Sequence, residues 1–331
     1  MKFYDYRGNV LPTVKSYFQD ELETTANSVR ALRTEPCLVF PLCTDIHYLS
    51  ATSQVPHSFD TMIRNMDALS NLIRLDFVAC LGDVVDGEST RSVTVNQLQH
   101  IFDGFRSLDM PLMFSSGNHD ANRYGSDTPF TLDELFKFEY YGRRNDATGG
   151  QNWYLDFANF KIRFIGLCTT STGTSGTAYA YPTGTDVWLT GVLDGVPEGY
   201  TVVLLEHLSP IAEHNWNRTL PTGASGVLSA VNTWLAADNS NRLIEFIGHA
   251  HSDYSFTSPW LTICTTCQKA ETVFTEDKTA DPSKHPAGAK QWKMTPGTAT
   301  EDCWDVVVLR PESKKVNCIR FGAGEDREFT Y

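Results

Sequence analysis

Five apolar runs, each ending abruptly at a cluster of Gly, Asp, Asn or His, constrain this chain more than any other feature. "CLVFPLC" leads into "TDIH", "DFVACL" into "GDVVDG", "PLMFSS" into "GNHD", "TVVLLE" into the lone His207, and "RLIEFI" into "GHAH". Short apolar runs of this kind, bounded by turn residues, predict strands buried on both faces. Between the first three lie stretches of helical period, from about Phe59 to Arg74 and around "VNQLQHIFDGFRSL". Strands alternating with helices predict βαβ units, a mainly parallel sheet and an α/β fold class.

The second half has a different rhythm. "NWYLDF" and "KIRFIGLC" are separated by Ala158, Asn159 and Phe160 and predict a hairpin; "CWDVVVL" and "KVNCIRFG" around "RPESKK" predict another. A helix is expected around "GVLSAVNTWLAA". Residues 1–36 are polar, with one amphipathic helix around "QDELETTANSVRALR", and are expected to form an arm packed on a single domain spanning 37–331. Residues 270–300, rich in Pro, Gly, Lys and Thr, are expected to form a polar excursion from that domain.

Composition narrows the function classes. The chain has 331 residues and a net charge of -13, which opposes binding driven by neutralising nucleic-acid phosphates, although it does not exclude a local cationic site. It has no apolar run long enough for a membrane helix, and "MKFYDYRGNV" lacks a signal-peptide apolar region, so a cytoplasmic or otherwise non-Sec-exported protein is expected. Cys37, Cys43, Cys80, Cys168 and Cys318 sit in strand-like runs and are expected to be buried thiols; "CTTC", Cys264 to Cys267, has half the spacing of a zinc site but no second half.

Ligands of α/β sheets bind beyond the carboxyl ends of the strands. Five of the nine histidines fall there (His47, His119, His207, His249 and His251), together with Asp45, Asp83 and Asn118. Imidazole and carboxylate are ligands of borderline divalent metals such as zinc, manganese and iron. Residues two apart on a strand share a face, so Asp45 with His47, and His249 with His251, are expected to project toward one site. Gly82, Gly117 and Gly248 are expected to let the chain turn where strand gives way to loop.

In this order the motifs "DIH", "GDVVD", "GNHD", "H" and "GHAH" resemble the calcineurin-like metallophosphoesterases, in a bacterial or phage-associated form. The resemblance implies a four-layered α/β/β/α sandwich with a dinuclear metal centre of Mn, Fe or Zn at one end of the sheets. It implies that Asp45, His47, Asp83 and His251 hold the first metal, that Asp83 bridges to the second, and that Asn118, His207 and His249 complete it. His119 would face the phosphate and assist the leaving group, with Asp120 orienting it. The implied activity is hydrolysis of phosphodiesters or phosphomonoesters of small phosphorylated substrates, with a metal-holding scaffold or phage-structural module as the alternative. Purple acid phosphatases have Tyr where this chain has Asp86, so their coloured iron centre is not expected; Asp86 is expected behind the ligands or in the turn. Arg320 and Arg327 are expected in surface ion pairs rather than in the cleft. His57, His214 and the Ser/Thr/Gly loop after Cys168 are expected in solvent-facing loops.

Overall fold

The computed structural model describes residues 3–4, 10–11, 14–49, 56–125, 127–139, 152–170, 179–265, 268 and 278–331. Two short strands, β1 (Phe3–Tyr4) and β2 (Val10–Leu11), pair near the N-terminus. The first large sheet contains β3 (Leu38–Cys43), β4 (Val78–Cys80), β5 (Leu112–Phe114), β14 (Cys303–Arg310), β15 (Lys315–Gly322) and β16 (Arg327–Thr330). Its order is β16-β15-β14-β3-β4-β5, parallel across β3, β4 and β5 and antiparallel elsewhere. The second contains β6 (Trp153–Phe157), β7 (Ile162–Leu167), β8 (Thr201–Glu206), β9 (Arg242–Ile247), β10 (Tyr254–Phe256) and β11 (Leu261–Cys264), in the order β10-β11-β9-β8-β7-β6. A further antiparallel pair is formed by β12 (Lys278–Thr279) and β13 (Lys290–Gln291).

The alternation of side chains along each strand builds the layers. Leu38, Phe40 and Leu42 of β3, with Phe77, Val307 and Leu309, face Phe164, Val203, Ile244 and Phe246 of the other sheet. Phe40 stacks on Phe77 at 4.4 Å and meets Phe164 edge-on at 5.7 Å. The opposite face, including Val39, Cys43, Val306 and Phe321, packs under α1 (Gln19–Leu32), α2 (Pro56–Ser70) and α3 (Arg91–Arg106), with α4 (Leu132–Glu139) beside them. α5 (Thr185–Asp194) and α6 (Ala224–Ala237) cover the second sheet through Leu189, Val227 and Val231. The result is the four-layered α/β/β/α sandwich. α1 belongs to its outer layer because Leu22, Thr25, Ala26 and Val29 recur at helical spacing and are all buried.

Two local expectations need revision. The β6–β7 connection is four residues, because a 3-10 turn over Ala158–Phe160 is followed by Lys161 in the left-handed region at φ 51°. Arg320 is buried and Arg327 only partly exposed, and both are engaged in ion pairs across the sheets. Arg320 donates to Asp253 at 2.9 Å and lies 3.0 Å from Asp305; Arg327 reaches Asp253 at 3.0 Å and Asp305 at 2.6 Å. The sequence could not reveal this, since the partners come from Asp253 near β10 and from β14, far away along the chain. Each charge in this buried quartet faces two of opposite sign, and it ties the two sheets together at one end.

Removing one member of a buried ion network leaves opposing charge uncompensated, which typically costs about 3–5 kcal/mol. Asp305→Ala should lower the denaturant midpoint by that equivalent with an unchanged m-value; stability within about 1 kcal/mol of wild type would show that the quartet contributes little.

Candidate metal centre

The parallel strands β3, β4 and β5 of one sheet and β8 and β9 of the other all release their chains at the same end of the sandwich. Asp45 and His47 follow β3, Asp83 follows β4, Asn118 and His119 follow β5, His207 follows β8, and His249 and His251 follow β9. All are buried except His119, His249 and His251, which are partly exposed. The convergence does not arise from strand alternation, as the sequence suggested. Asp45 (φ 52°), His47 (47°), Asp83 (50°), His249 (67°) and His251 (51°) lie beyond the strand ends in the left-handed region.

A non-glycine residue in that region costs on the order of 1 kcal/mol, so each must be held by its surroundings. Asp45 N–H donates to Gly82 O at 2.9 Å and His47 N–H to Asp83 O at 2.9 Å, stitching the first loop to the second. His249 N–H donates to Asp45 Oδ2 at 2.9 Å, and His119 N–H to Asp83 Oδ1 at 2.7 Å. The two carboxylates are thus held by the backbone of loops that carry neighbouring site residues.

Each of these side chains spends one polar atom on the protein and turns another inward. Asp45 Oδ2 also accepts from Thr44 Oγ1 at 2.7 Å, while buried Asp45 Oδ1 has no hydrogen bond. His207 Nδ1 donates to Leu81 O at 2.8 Å, leaving Nε2 without a hydrogen bond and 3.0 Å from Asp83 Oδ2. Asn118 Nδ2 donates to the Tyr124 hydroxyl at 3.1 Å, leaving Oδ1 without one; His249 Nε2 is in the same condition. His47 Nδ1 donates to Asp86 Oδ1 at 3.1 Å, and its Nε2 lies 3.1 Å from His251 Nε2, which is 3.2 Å from Asp45 Oδ1.

A buried polar atom without a partner costs about 1–3 kcal/mol, and four sit in one constellation. They are carboxylate and amide oxygens and imidazole nitrogens, the donor types divalent transition metals take. Three compact groups emerge, Asp45 with His47 and His251, Asp83 with His207 and His249, and His47 with Asp86 and His119, each with ligand atoms within 4.8 Å of one another; the third shares His47 with the first. Asp83 Oδ2 lies 3.7 Å from His47 Nε2, so its carboxylate borders the first group as well as belonging to the second. The residues fit a pair of metal ions.

The electrostatics of the site are mixed: two carboxylates are held anionic and His249 neutral, while His207 is held protonated, so a metal ion would have to displace its Nε2 proton. Burial pushes the Asp83 carboxyl up, but His207, His119 and His47 outweigh it and hold it below the ordinary range; His207 and His251 do the same for Asp45. Burial opposes charge on His207, yet Asp83 and Asp45 raise it to about 9. Burial and neighbouring His207 push His249 down to about 3, keeping it neutral. Two anionic carboxylates and a neutral imidazole are thus present at pH 7.

His119 stands at the cavity side of this centre. Its Nδ1 donates to Asp86 O at 2.6 Å, and its Nε2 is 4.0 Å from Asp83 Oδ2. Asp120 does not supply the hydrogen bond that orients this ring. It accepts from Asp83 N–H at 3.0 Å, Gly117 N–H at 2.8 Å and Val84 N–H at 2.7 Å, and so fixes the turn that carries Asp83. An aspartate three residues after a turn glycine reaches back to free amides more readily than forward to its neighbour's ring. Asp86 instead serves two histidines, His47 by its carboxylate and His119 by its carbonyl.

His214 was expected in a solvated loop but is buried, stacked on Phe256 at 4.0 Å. The side chain of His57, residues 171–178 of the Ser/Thr/Gly loop, and Cys267 of "CTTC" lie outside the described residues. Cys264 is a buried thiol. The sequence reading missed Tyr124, Tyr179, Trp216, His285 and Gln291, which line a cavity of about 460 Å³ over the centre. None belongs to a compact motif; Tyr124, four residues after Asp120, was the nearest to a signal.

Of the three motif glycines, Gly82 has a left-handed φ of 91°, whereas Gly117 is needed for close approach. A Cβ on Gly117 would lie 2.3 Å from Asp83 Oδ1. Gly117→Ala should therefore displace Asp83 and lower bound metal by at least tenfold in affinity, measured by metal titration, with the far-UV spectrum retained; full metal content at wild-type affinity would contradict this placement.

The sequence profile of the calcineurin-like phosphoesterases matches residues 40–259. No curated protein matches the chain in sequence. Among solved structures, the chain is similar to a dimetal phosphatase from Danio rerio, with TM-score 0.61 and 16% identity over 90% of this chain and 100% of that one. Vacuolar Protein Sorting 29 from Cryptosporidium parvum matches at TM-score 0.36 and 12% identity, with the same coverages. With the profile spanning all five strand-end motifs, the chain belongs to the calcineurin-like phosphoesterase family.

Proposed function

We propose that this protein is a dinuclear metal-dependent phosphoesterase that hydrolyses small phosphorylated substrates. The observation that carries the reading is the set of four buried donor atoms that make no hydrogen bond: Asp45 Oδ1, Asn118 Oδ1, His207 Nε2 and His249 Nε2. Asp45, His47, Asp83 and His251 would hold one ion, and Asp83, Asn118, His207 and His249 the other. Mn, Fe and Zn all suit this mixture of imidazole, carboxylate and amide oxygen. The dimetal phosphatase from Danio rerio, similar in fold, agrees with this chemistry.

When bound, two divalent ions supply Lewis acidity to the phosphoryl group and an activated water at neutral pH. The protein supplies the rest. Asp83 and Asp45 are held by backbone amides, so they need not reorganise as charge moves during displacement. His119, with Nδ1–H engaged by the Asp86 carbonyl, keeps Nε2 as the atom able to hold or deliver a proton at the departing oxygen. Asp120 keeps the Asp83 turn and the Gly117 turn in register.

Phosphodiester substrates suit the site better than monoesters. Among the described residues, no Lys or Arg lines the cavity, and Asp86 and Glu88 do. The second negative charge of a monoester would meet no additional cation beyond the metals and His119.

A metal-holding scaffold is the alternative, and turnover separates the two. With manganese, bis-p-nitrophenyl phosphate should be hydrolysed faster than p-nitrophenyl phosphate, and chelation should abolish both reactions; no turnover of either ester with any metal, despite two bound ions, would exclude the enzyme. His119→Ala should lower kcat by about 10²–10⁴ with metal content near two per chain, as expected for loss of a proton-transfer group. Asp83→Ala should instead lose both metals.

A further inference from the structure

The cavity over the metal centre has a wall that the family profile covers only in part. The profile ends at residue 259, and the segment from β12 to β13 follows it. That segment is anchored on both sides. Lys290 exchanges two backbone hydrogen bonds with Asp253, a member of the buried quartet, and Lys284 O accepts from Asn217 N–H beside Trp216. It brings His285 and buried Gln291 to the cavity, which Tyr124, Trp216 and Tyr179 also line.

The chemistry of this wall is uniform. The Trp216 and Tyr179 rings stand 6.0 Å and 5.2 Å from the His249 ring, so flat apolar faces adjoin the metal ligands. His285 is fixed: Ser252 Oγ donates to Ala250 O at 3.2 Å and accepts from His285 Nδ1 at 3.1 Å. Gln291 adds an amide with both donor and acceptor. Among the described residues, the charged side chains on the lining apart from the metal-centre residues are acidic, Asp86 and Glu88.

Resting on the phosphoesterase reading above, we propose that this wall binds the organic part of the substrate and selects phosphoesters carrying a flat, uncharged ring with polar edges over esters of small alkyl or anionic groups. Trp216 and Tyr179 offer stacking faces, while His285 and Gln291 offer hydrogen bonds to the ring's edge. A further anionic group would face Asp86 and Glu88 without a counter-charge. These residues position substrate and take no part in bond breaking.

The test uses the full-length, manganese-loaded protein and three non-hydrolysable phosphonates, with binding measured by calorimetry alongside kinetics on bis-p-nitrophenyl phosphate. Phenylphosphonate should bind about tenfold more tightly than methylphosphonate, and 4-carboxyphenylphosphonate several-fold more weakly than phenylphosphonate. Trp216→Ala should collapse the phenyl-to-methyl ratio toward one and raise KM more than it lowers kcat, with two metals still bound. Trp216→Phe should retain most of the preference. A wild-type protein that hydrolyses the diester but binds phenyl- and methylphosphonate equally, or a Trp216→Ala variant that keeps the ratio, would overturn the wall alone. A wild-type protein that binds no phosphonate and hydrolyses no ester would overturn the phosphoesterase reading, and the wall with it.

Discussion

The Asp83 carboxylate is the point on which this structure turns. Its Oδ1 is fixed by the backbone N–H of His119, and its Oδ2 faces His207 from the other sheet at 3.0 Å and His47 from the neighbouring loop at 3.7 Å. One side chain therefore joins three loops across the sandwich. The remaining architecture keeps those loops at one end: parallel strands of both sheets finish together, and an interior of Phe40, Phe77, Phe164 and Phe246 holds the sheets face to face. Asp120 supports the same point from behind by accepting three backbone amides.

Stability and function pull against each other at this end. Five of the candidate ligands are non-glycine residues in the left-handed region, and four buried donor atoms have no hydrogen bond in the protein. Both features cost free energy, and both make sense where cations complete the structure. Compensation comes from elsewhere in the fold. The quartet of Asp253, Asp305, Arg320 and Arg327 ties the sheets together, and the same Asp253 anchors the segment that brings His285 and Gln291 to the cavity.

Much of this was legible in the sequence, and the reason is local. Buried strands are continuous apolar runs, and the polar residue that follows each one is visible as a break in that run. The strand-end motifs therefore contain the residues of the compact groups around Asp45 and Asp83, namely Asp45, His47, Asp83, His207, His249 and His251. What was not legible depends on contacts between distant segments. The sequence suggested that Asp45 and His47 share a strand face, but two left-handed residues bring them together. It assigned Asp120 to His119, but free backbone amides compete for that carboxylate. It placed Arg320 and Arg327 on the surface, because nothing in "IRFGAGEDREF" reveals Asp253 and Asp305. Trp216 and His285 had no motif to betray them, since a cavity wall is defined only once the chain has folded.

The central claim is that Asp83 stands between two metal ions. Crystals of the manganese-loaded protein, measured by anomalous diffraction, test it directly. The account predicts two anomalous peaks ~3.5–4 Å apart with Asp83 between them, one beside Asp45, His47 and His251 and the other beside Asn118, His207 and His249. A single peak, or two that do not share Asp83, would contradict it.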